Sequence, residues 1–278
     1  MNSIYARMSD FKAEAGGVIH TEDDTSWLRA LERASREVDS WCGQRFYPET
    51  ATAYFDGSGI ARLMLHLAAN EQFRSRVQTV TTLKADSTGD GTYDVTFTEA
   101  THFWRRRKHV GGGHSVLEIN PYAPPALTTF PDAPLSVELV GVFGAWTGTV
   151  ASAATVDDAG AIDTSQITIT VDDGHQVEVG DTLNENSEDM LVTEVAPTRL
   201  TVDRAINGTT GSTHANDVAL ARRTYPSDVA GVVTKMALRA QWDSQGGMDQ
   251  SATPEWLPKD RMYLQLREAI DRWKVVGQ

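Results

Sequence analysis

Residues 27 to 47 hold the feature that most constrains how this chain can fold. Trp27, Leu28, Leu31, Ala34, Val38, Trp41 and Cys42 recur at three- and four-residue steps and lay an apolar stripe along one helical face. Glu32, Arg33, Arg36, Glu37 and Asp39 fall on the other side. Upstream, Asp23, Asp24 and Thr25 supply N-cap side chains and negative charge at the positive end of the helix dipole. Downstream, Gly43 suits the left-handed conformation that ends a helix, and Phe46-Tyr47-Pro48 leads out extended. The pattern predicts a helix of about five turns. Its apolar face needs partners elsewhere in the chain.

Two such partners are predicted near the C-terminus. Val229, Val232, Val233, Met236 and Ala240 mark a second amphipathic face after Tyr225-Pro226. Pro258 opens a last helix, with Met262, Leu266, Ile270 and Trp273 on one side and Arg261, Arg267 and Arg272 on others. A short amphipathic turn at the start carries Ile4, Tyr5, Met8 and Phe11 and ends at Gly16-Gly17. Between the helical ends lie β signals. Residues 50 to 55 and 61 to 67 flank Asp56-Gly-Ser-Gly59 and read as a hairpin. Further strands are expected at 77 to 83, 95 to 97, 116 to 119 and 135 to 143, with an irregular, proline-rich connection from 120 to 134. The expected class is α+β: a helical bundle from N- and C-terminal helices, a central region of β-hairpins or sheet, and an inserted small all-β domain.

Charge marks the insertion. The chain carries a net −13, and residues 147 to 222 hold 13 acidic and 3 basic side chains, a net of −10. Phe, Trp and Tyr are absent from that stretch, while Thr, Val, Asp and Gly dominate. Strands are expected at 166 to 171, 189 to 195, 199 to 203 and 218 to 221. The predicted organisation is a core of residues 1–146 and 223–278 carrying an acidic all-β module, 147–222.

No apolar run approaches the roughly 20 residues that span a bilayer. The N-terminus lacks a basic stretch followed by an apolar core, so a secretory signal is not expected. The single cysteine, Cys42, excludes an internal disulfide and a cysteine-based zinc site; it reads as a small core residue. Asp86-x-Thr-x-Asp90-Gly91-x-x-Asp94 resembles a calcium loop, but Phe97 stands where a bidentate Glu is required, and the flanks read as strands. A hairpin turn is the preferred reading. Arg105-Arg106-Arg107-Lys108 is the one dense basic run. Its guanidinium groups suit phosphate, whereas its shortness suits a solvated strand end or a protein-contact loop. His102, His109 and His114 surround it without ligand-like spacing. The glycine-rich turns match no nucleotide fingerprint, and no local catalytic motif, metal site or cofactor is expected.

The segment 34 to 47, ending Trp41-Cys-Gly-Gln-Arg-Phe-Tyr47, followed by Tyr54-Phe-Asp-Gly-Ser-Gly59, resembles the head-to-tail connector (adaptor, or head-completion) proteins of tailed bacteriophages. Val140-Gly-Val-Phe-Gly-Ala-Trp146 and Tyr225-Pro-Ser-Asp-Val-Ala230 are similar to the same family, so the likeness spans residues 23 to 146 and 223 to 274. The resemblance implies a non-enzymatic, dodecameric ring docked beneath the portal protein. Such a ring extends the channel for double-stranded DNA, without sequence-specific binding, and presents a surface to the next neck or tail protein. It implies a virion location at the head–tail junction, assembly in the host cytoplasm and no membrane. Family C-termini reach the portal, which nominates Arg261, Arg267, Trp273 and Lys274. The charged face of the first long helix nominates Arg29, Arg33 and Arg36 for the contact between subunits, and the basic run 105 to 108 for a channel or loop contact. Residues 179 to 215 are similar to a small β module of phage structural proteins. That likeness supports an alternative: a carbohydrate- or protein-binding module displayed on the virion.

Overall fold

The structure, a computed structural model, describes residues 3–15, 24–65, 76–109, 111–122, 127–158, 160–244 and 259–274. The chain divides into two compact units, Cys42–Thr147 with Lys274–Gln278, and Met1–Trp41 with Gly148–Trp273.

The first unit is built on a seven-stranded antiparallel sheet: β1 (Glu49–Phe55), β2 (Arg62–Met64), β3 (Val77–Ala85), β4 (Val95–Phe97), β5 (Phe103–Lys108), β6 (His114–Ile119) and β7 (Val137–Phe143). The order is β1-β7-β3-β6-β2, with β4 beside β3 and β5 beside β6. Inward positions alternate along β7, where Val137, Leu139, Gly141 and Phe143 are buried, as expected for a strand with one face on a core. Phe55, Leu83, Phe97, Phe103, Ile119 and Phe130 fill that core. Gly57 explains the Asp-Gly-Ser-Gly turn: a Cβ there would lie 1.8 Å from the Pro131 carbonyl oxygen, so only glycine lets the loops meet.

The other unit carries a six-stranded antiparallel sheet: β8 (Thr149–Thr155), β9 (Thr168–Thr170), β10 (Thr182–Glu185), β11 (Glu188–Ala196), β12 (Arg199–Ile206) and β13 (Ala219–Arg223), ordered β8-β13-β10-β11-β12-β9. Asn186 and Ser187 both take positive φ, 48° and 67°, which is the two-residue turn that joins β10 to β11 without splaying them. The same unit holds the helices α1 (Met8–Glu14), α2 (Asp24–Cys42), α3 (Ser227–Ser244) and α4 (Lys259–Ala269), then a 3-10 turn at Asp271–Trp273.

The expected helical bundle is overturned. Among the described residues the chain is mostly β, with thirteen strands in two large antiparallel sheets, and its helices do not form a bundle of N- and C-terminal members. Trp27, Leu31, Ala34 and Val38 are buried, so the stripe on α2 is real, but its partners differ from those expected. Phe11 of α1 meets Trp27 at 5.5 Å between rings, the Tyr5 N–H donates to Ser35 Oγ, and a Cβ on Gly180 would come within 2.8 Å of Leu28. The N-terminal segment and a sheet loop thus cover most of the face, and of the expected partners Arg267 of α4 reaches Trp41 near its end. Periodicity reports which side of a helix is apolar, not what covers it. A second correction concerns residues 50 to 67. β1 pairs along its whole length with β7, and β2 pairs with β6, so the two strands do not form a hairpin. Gly43 does end α2 with φ of 64°, and Cys42 is buried. The Gly16-Gly17 stop and Pro258 lie outside the described residues.

Phe11 is fully buried against the α2 stripe. Phe11→Ala is expected to cost about 3 kcal/mol or more, the usual range for emptying a buried aromatic site. Urea unfolding followed by tryptophan fluorescence measures it.

Candidate functional site

Three places in the described residues concentrate polar chemistry. The first is the basic run, which the structure builds into β5. Phe103 anchors its start in the core, and the strand pairs with β6. Its first two arginines are already neutralised. Arg105 Nε donates to Glu99 at 2.6 Å, and its Nη1 donates to the Gln78 carbonyl. Arg106 donates to Glu118 at 2.8 Å and lies 4.6 Å over the Trp104 ring. Arg62, from β2, donates to the other Glu118 oxygen at 2.8 Å. Hydrogen bonds from Arg62 and Arg106 hold the Glu118 carboxyl below the usual carboxylate range. Arg62, Met64, Arg106, Arg107, Val116 and Glu118 line a shallow depression of about 510 Å³. Arg107 and Lys108 are exposed and have no ion-pair partner among the described residues.

The second place is a cavity of about 430 Å³ in the helical unit, between the N-terminal segment, the loop around Asp181, the end of β13 and α3. Arg7 grips Asp181 through two hydrogen bonds, 3.2 and 3.1 Å, and Glu178 at 2.9 Å. Burial pushes the Asp181 carboxyl up despite Arg7 beside it. Arg7, Arg222, Arg223 and Lys235 face Asp10, Glu14 and Asp181 across this space, so its charge is nearly balanced.

The third is a buried ionic network at the start of β11, where Glu188 and Asp189 are both 0% exposed. Glu188 accepts from Arg204 Nε and Nη2, both at 2.7 Å, and from the Ser212 N–H at 2.9 Å. His214, also buried, places Nε2 2.9 Å from Glu188 and Nδ1 against Glu185. Burial alone would raise the Glu188 carboxyl, but these hydrogen bonds hold it down at about 2. Asp189 accepts from Arg223 at 3.0 and 2.9 Å, from Asn184 at 2.8 Å and from Asn207 at 2.9 Å. Asn207 in turn donates to Ser3 Oγ at 2.8 Å.

The nominated residues do not converge on one site. Arg29 and Arg33 are exposed on α2. Arg36 is committed internally: it donates to the Ser3 carbonyl at 2.8 Å, pairs with Asp39 at 3.2 Å and lies 5.1 Å over the Tyr5 ring. Trp273 is 2% exposed and donates its Nε1–H to Asp228 at 2.8 Å, which makes it a fastening to α3. Arg267 stacks 4.9 Å over Trp41. Lys274 is exposed, and Arg261 lies on α4 with its side chain outside the described set. Of the histidines, His102 precedes β5 and receives the Thr98 N–H, whereas His109 follows it and contacts Ser115, so the strand separates them. The calcium-like loop is closed on itself. Burial works against ionisation of Asp86, yet N–H groups of Gly91, Gly89 and Thr88 keep its carboxyl below the usual range.

Glu188, Asp189, Arg204 and His214 had no signal in the sequence. Their partners lie 16 to 34 residues apart, and acids beside an Asn-Ser turn look solvated until the strands pair.

The Glu188 network sets an acid limit. A carboxyl whose folded pKa is about 2, against 4.5 for the free group, contributes its full stability above pH 4.5 and loses it as pH falls toward 2. The contribution at neutral pH is about 3 kcal/mol. Glu188→Gln is expected to lower stability at pH 7, with the two proteins converging toward pH 2; denaturant titrations across that window measure the difference. Compared with protein-family models and with curated proteins, the chain matches none of them.

Proposed function

We propose that this chain is a structural subunit of a tailed-bacteriophage virion, assembling as a dodecameric ring between the portal and the tail. In that role it extends the channel for double-stranded DNA and offers a docking surface to the next neck or tail protein. The reading rests on the resemblance carried by residues 34 to 59, 140 to 146 and 225 to 230, and one structural observation supports it. The basic strand β5, the densest source of cation in the sequence, spends Arg105 and Arg106 on Glu99 and Glu118. Arg105 and Arg106, satisfied in this way, bind phosphate weakly, because each phosphate contact needs an uncommitted cation, and within β5 only Arg107 and Lys108 offer one. With a net charge of −13 on the chain, DNA can pass such a subunit without being held. The mechanism is geometric: identical copies joined head-to-tail around a closed axis leave a lumen.

The test is a mass measurement and electron microscopy of the purified full chain, alone and with a portal ring. The expected result is a closed ring that stacks coaxially on the portal and shows no sequence preference for DNA. A strict monomer that ignores the portal overturns the reading.

A further inference from the structure

Two exposed, long side chains in the seven-stranded unit sit in a backbone conformation that L residues rarely adopt. Arg107 takes φ of 51° within β5, and Leu135 takes φ of 51° just before β7. Both are held there by their surroundings. The Leu135 N–H donates to Asp56 at 2.8 Å and its carbonyl accepts from the Tyr93 hydroxyl at 2.8 Å, while Arg107 lies between two paired positions of β5. Strained backbone persists where the fold over-determines it, and it re-aims a side chain.

The two residues lie toward opposite ends of the sheet. Lys108 pairs with His114, His114 pairs with Val77, and Val77 pairs with Phe143; Leu135 lies beyond Val137, where Phe55 and Ala85 end. The seven residues of β7 separate those ends by about 20 Å. The ends also differ in chemistry. Leu135 is 45% exposed beside Tyr54, 38% exposed, whose ring lies 5.9 Å from that of Tyr93. Asp56, Asp90, Asp94 and Asp132 are exposed on the loops around them. The other end offers Arg107 and Lys108 without ion-pair partners among the described residues.

We propose that this surface of Tyr54, Tyr93 and Leu135, rimmed by aspartates, binds a second copy of the chain through Arg107 and Lys108 of that copy. Charge complementarity identifies the occupant. An apolar, aromatic centre with an acidic rim fits a guanidinium that can lie on tyrosine faces while its charge meets carboxylates. Because the two patches differ, each copy uses one to bind forward and the other to bind backward, which is the heterologous contact that closes rings. The inference rests on the ring reading above and supplies its contact.

Glycine variants separate association from folding. Leu135→Gly and Arg107→Gly relieve the positive φ, so neither is expected to lower stability to urea. Each is expected to weaken self-association of the full chain at least tenfold by sedimentation velocity and mass photometry. Arg107→Glu and Asp132→Arg are each expected to block assembly alone and to co-assemble when mixed, since the two reversals meet at one contact. A wild-type ring that survives both glycine variants overturns this contact while leaving the ring reading standing; a wild-type monomer at every concentration overturns both. Non-specific aggregation of Arg107→Gly with normal rings from Leu135→Gly assigns the strained arginine to protecting a sheet edge and also overturns the contact.

Discussion

Two consecutive carboxylates with no solvent exposure, Glu188 and Asp189, hold the helical unit together. Neighbours on a strand point to opposite faces, so one residue step sends the two charges to two different sets of partners. Glu188 gathers Arg204, His214 and the 212 N–H, fixing the long connection between β12 and β13. Asp189 gathers Arg223, Asn184 and Asn207, and through Asn207 it reaches Ser3 at the head of the chain. Burying a carboxylate costs several kcal/mol, and the cost is offset only where its oxygens are multiply hydrogen-bonded. Both residues meet that condition. The consequence runs outward, because Ser3 also takes the Arg36 hydrogen bond and so ties α2 to the sheet. The N-terminal segment and α2 are thus fastened to a polar network as well as to other helices.

That arrangement explains which parts of the fold were legible. The α2 stripe, its glycine stop and the strands expected at 77 to 83, 95 to 97, 189 to 195 and 199 to 203 follow from local periodicity and turn chemistry, and the structure has strands there, three of them two or three residues longer. Pairing partners do not follow from local pattern. β1 reaches β7 across more than 80 residues, while the nearby strand at 62 to 64 pairs elsewhere, so proximity along the chain misled the hairpin assignment. The basic run left a strand end and a loop both open, because strand recognition depends on alternation and Arg105 to Lys108 places polar groups on both faces; the structure makes it β5. β8 and β10 are short of large apolar residues: Val150 and Leu183 are the two they hold, and the rest are alanine, threonine and other polar residues. The acidic pair was illegible for a different reason. Its meaning depends on Arg204 and Arg223 arriving from other strands and His214 from the connection between β12 and β13.

Charge follows the division into units and gives the chain two different bodies. Residues 1–41 with 148–273 carry 28 acidic and 15 basic side chains, the entire net of −13, while 42–147 with 274–278 hold ten of each. The neutral unit is therefore not uncharged but internally compensated. Glu118 illustrates how. It takes Arg62 on one oxygen and Arg106 on the other, and Arg106 also rests on Trp104, so the guanidinium groups are fixed in direction before anything approaches.

A polyanion passing this face would have to displace Glu118 to engage either arginine, giving up two charge-assisted hydrogen bonds at 2.8 Å for contacts that salt screens. Protein partners face no such exchange. They can meet the planar, oriented stack of Trp104 and Arg106 with the pair intact, burying apolar area while leaving the ionic bonds in place. In the strand that looks like a nucleic-acid patch in sequence, Glu99 and Glu118 thus take Arg105 and Arg106 out of reach of phosphate and leave Arg107 and Lys108 as its uncommitted cations among the described residues.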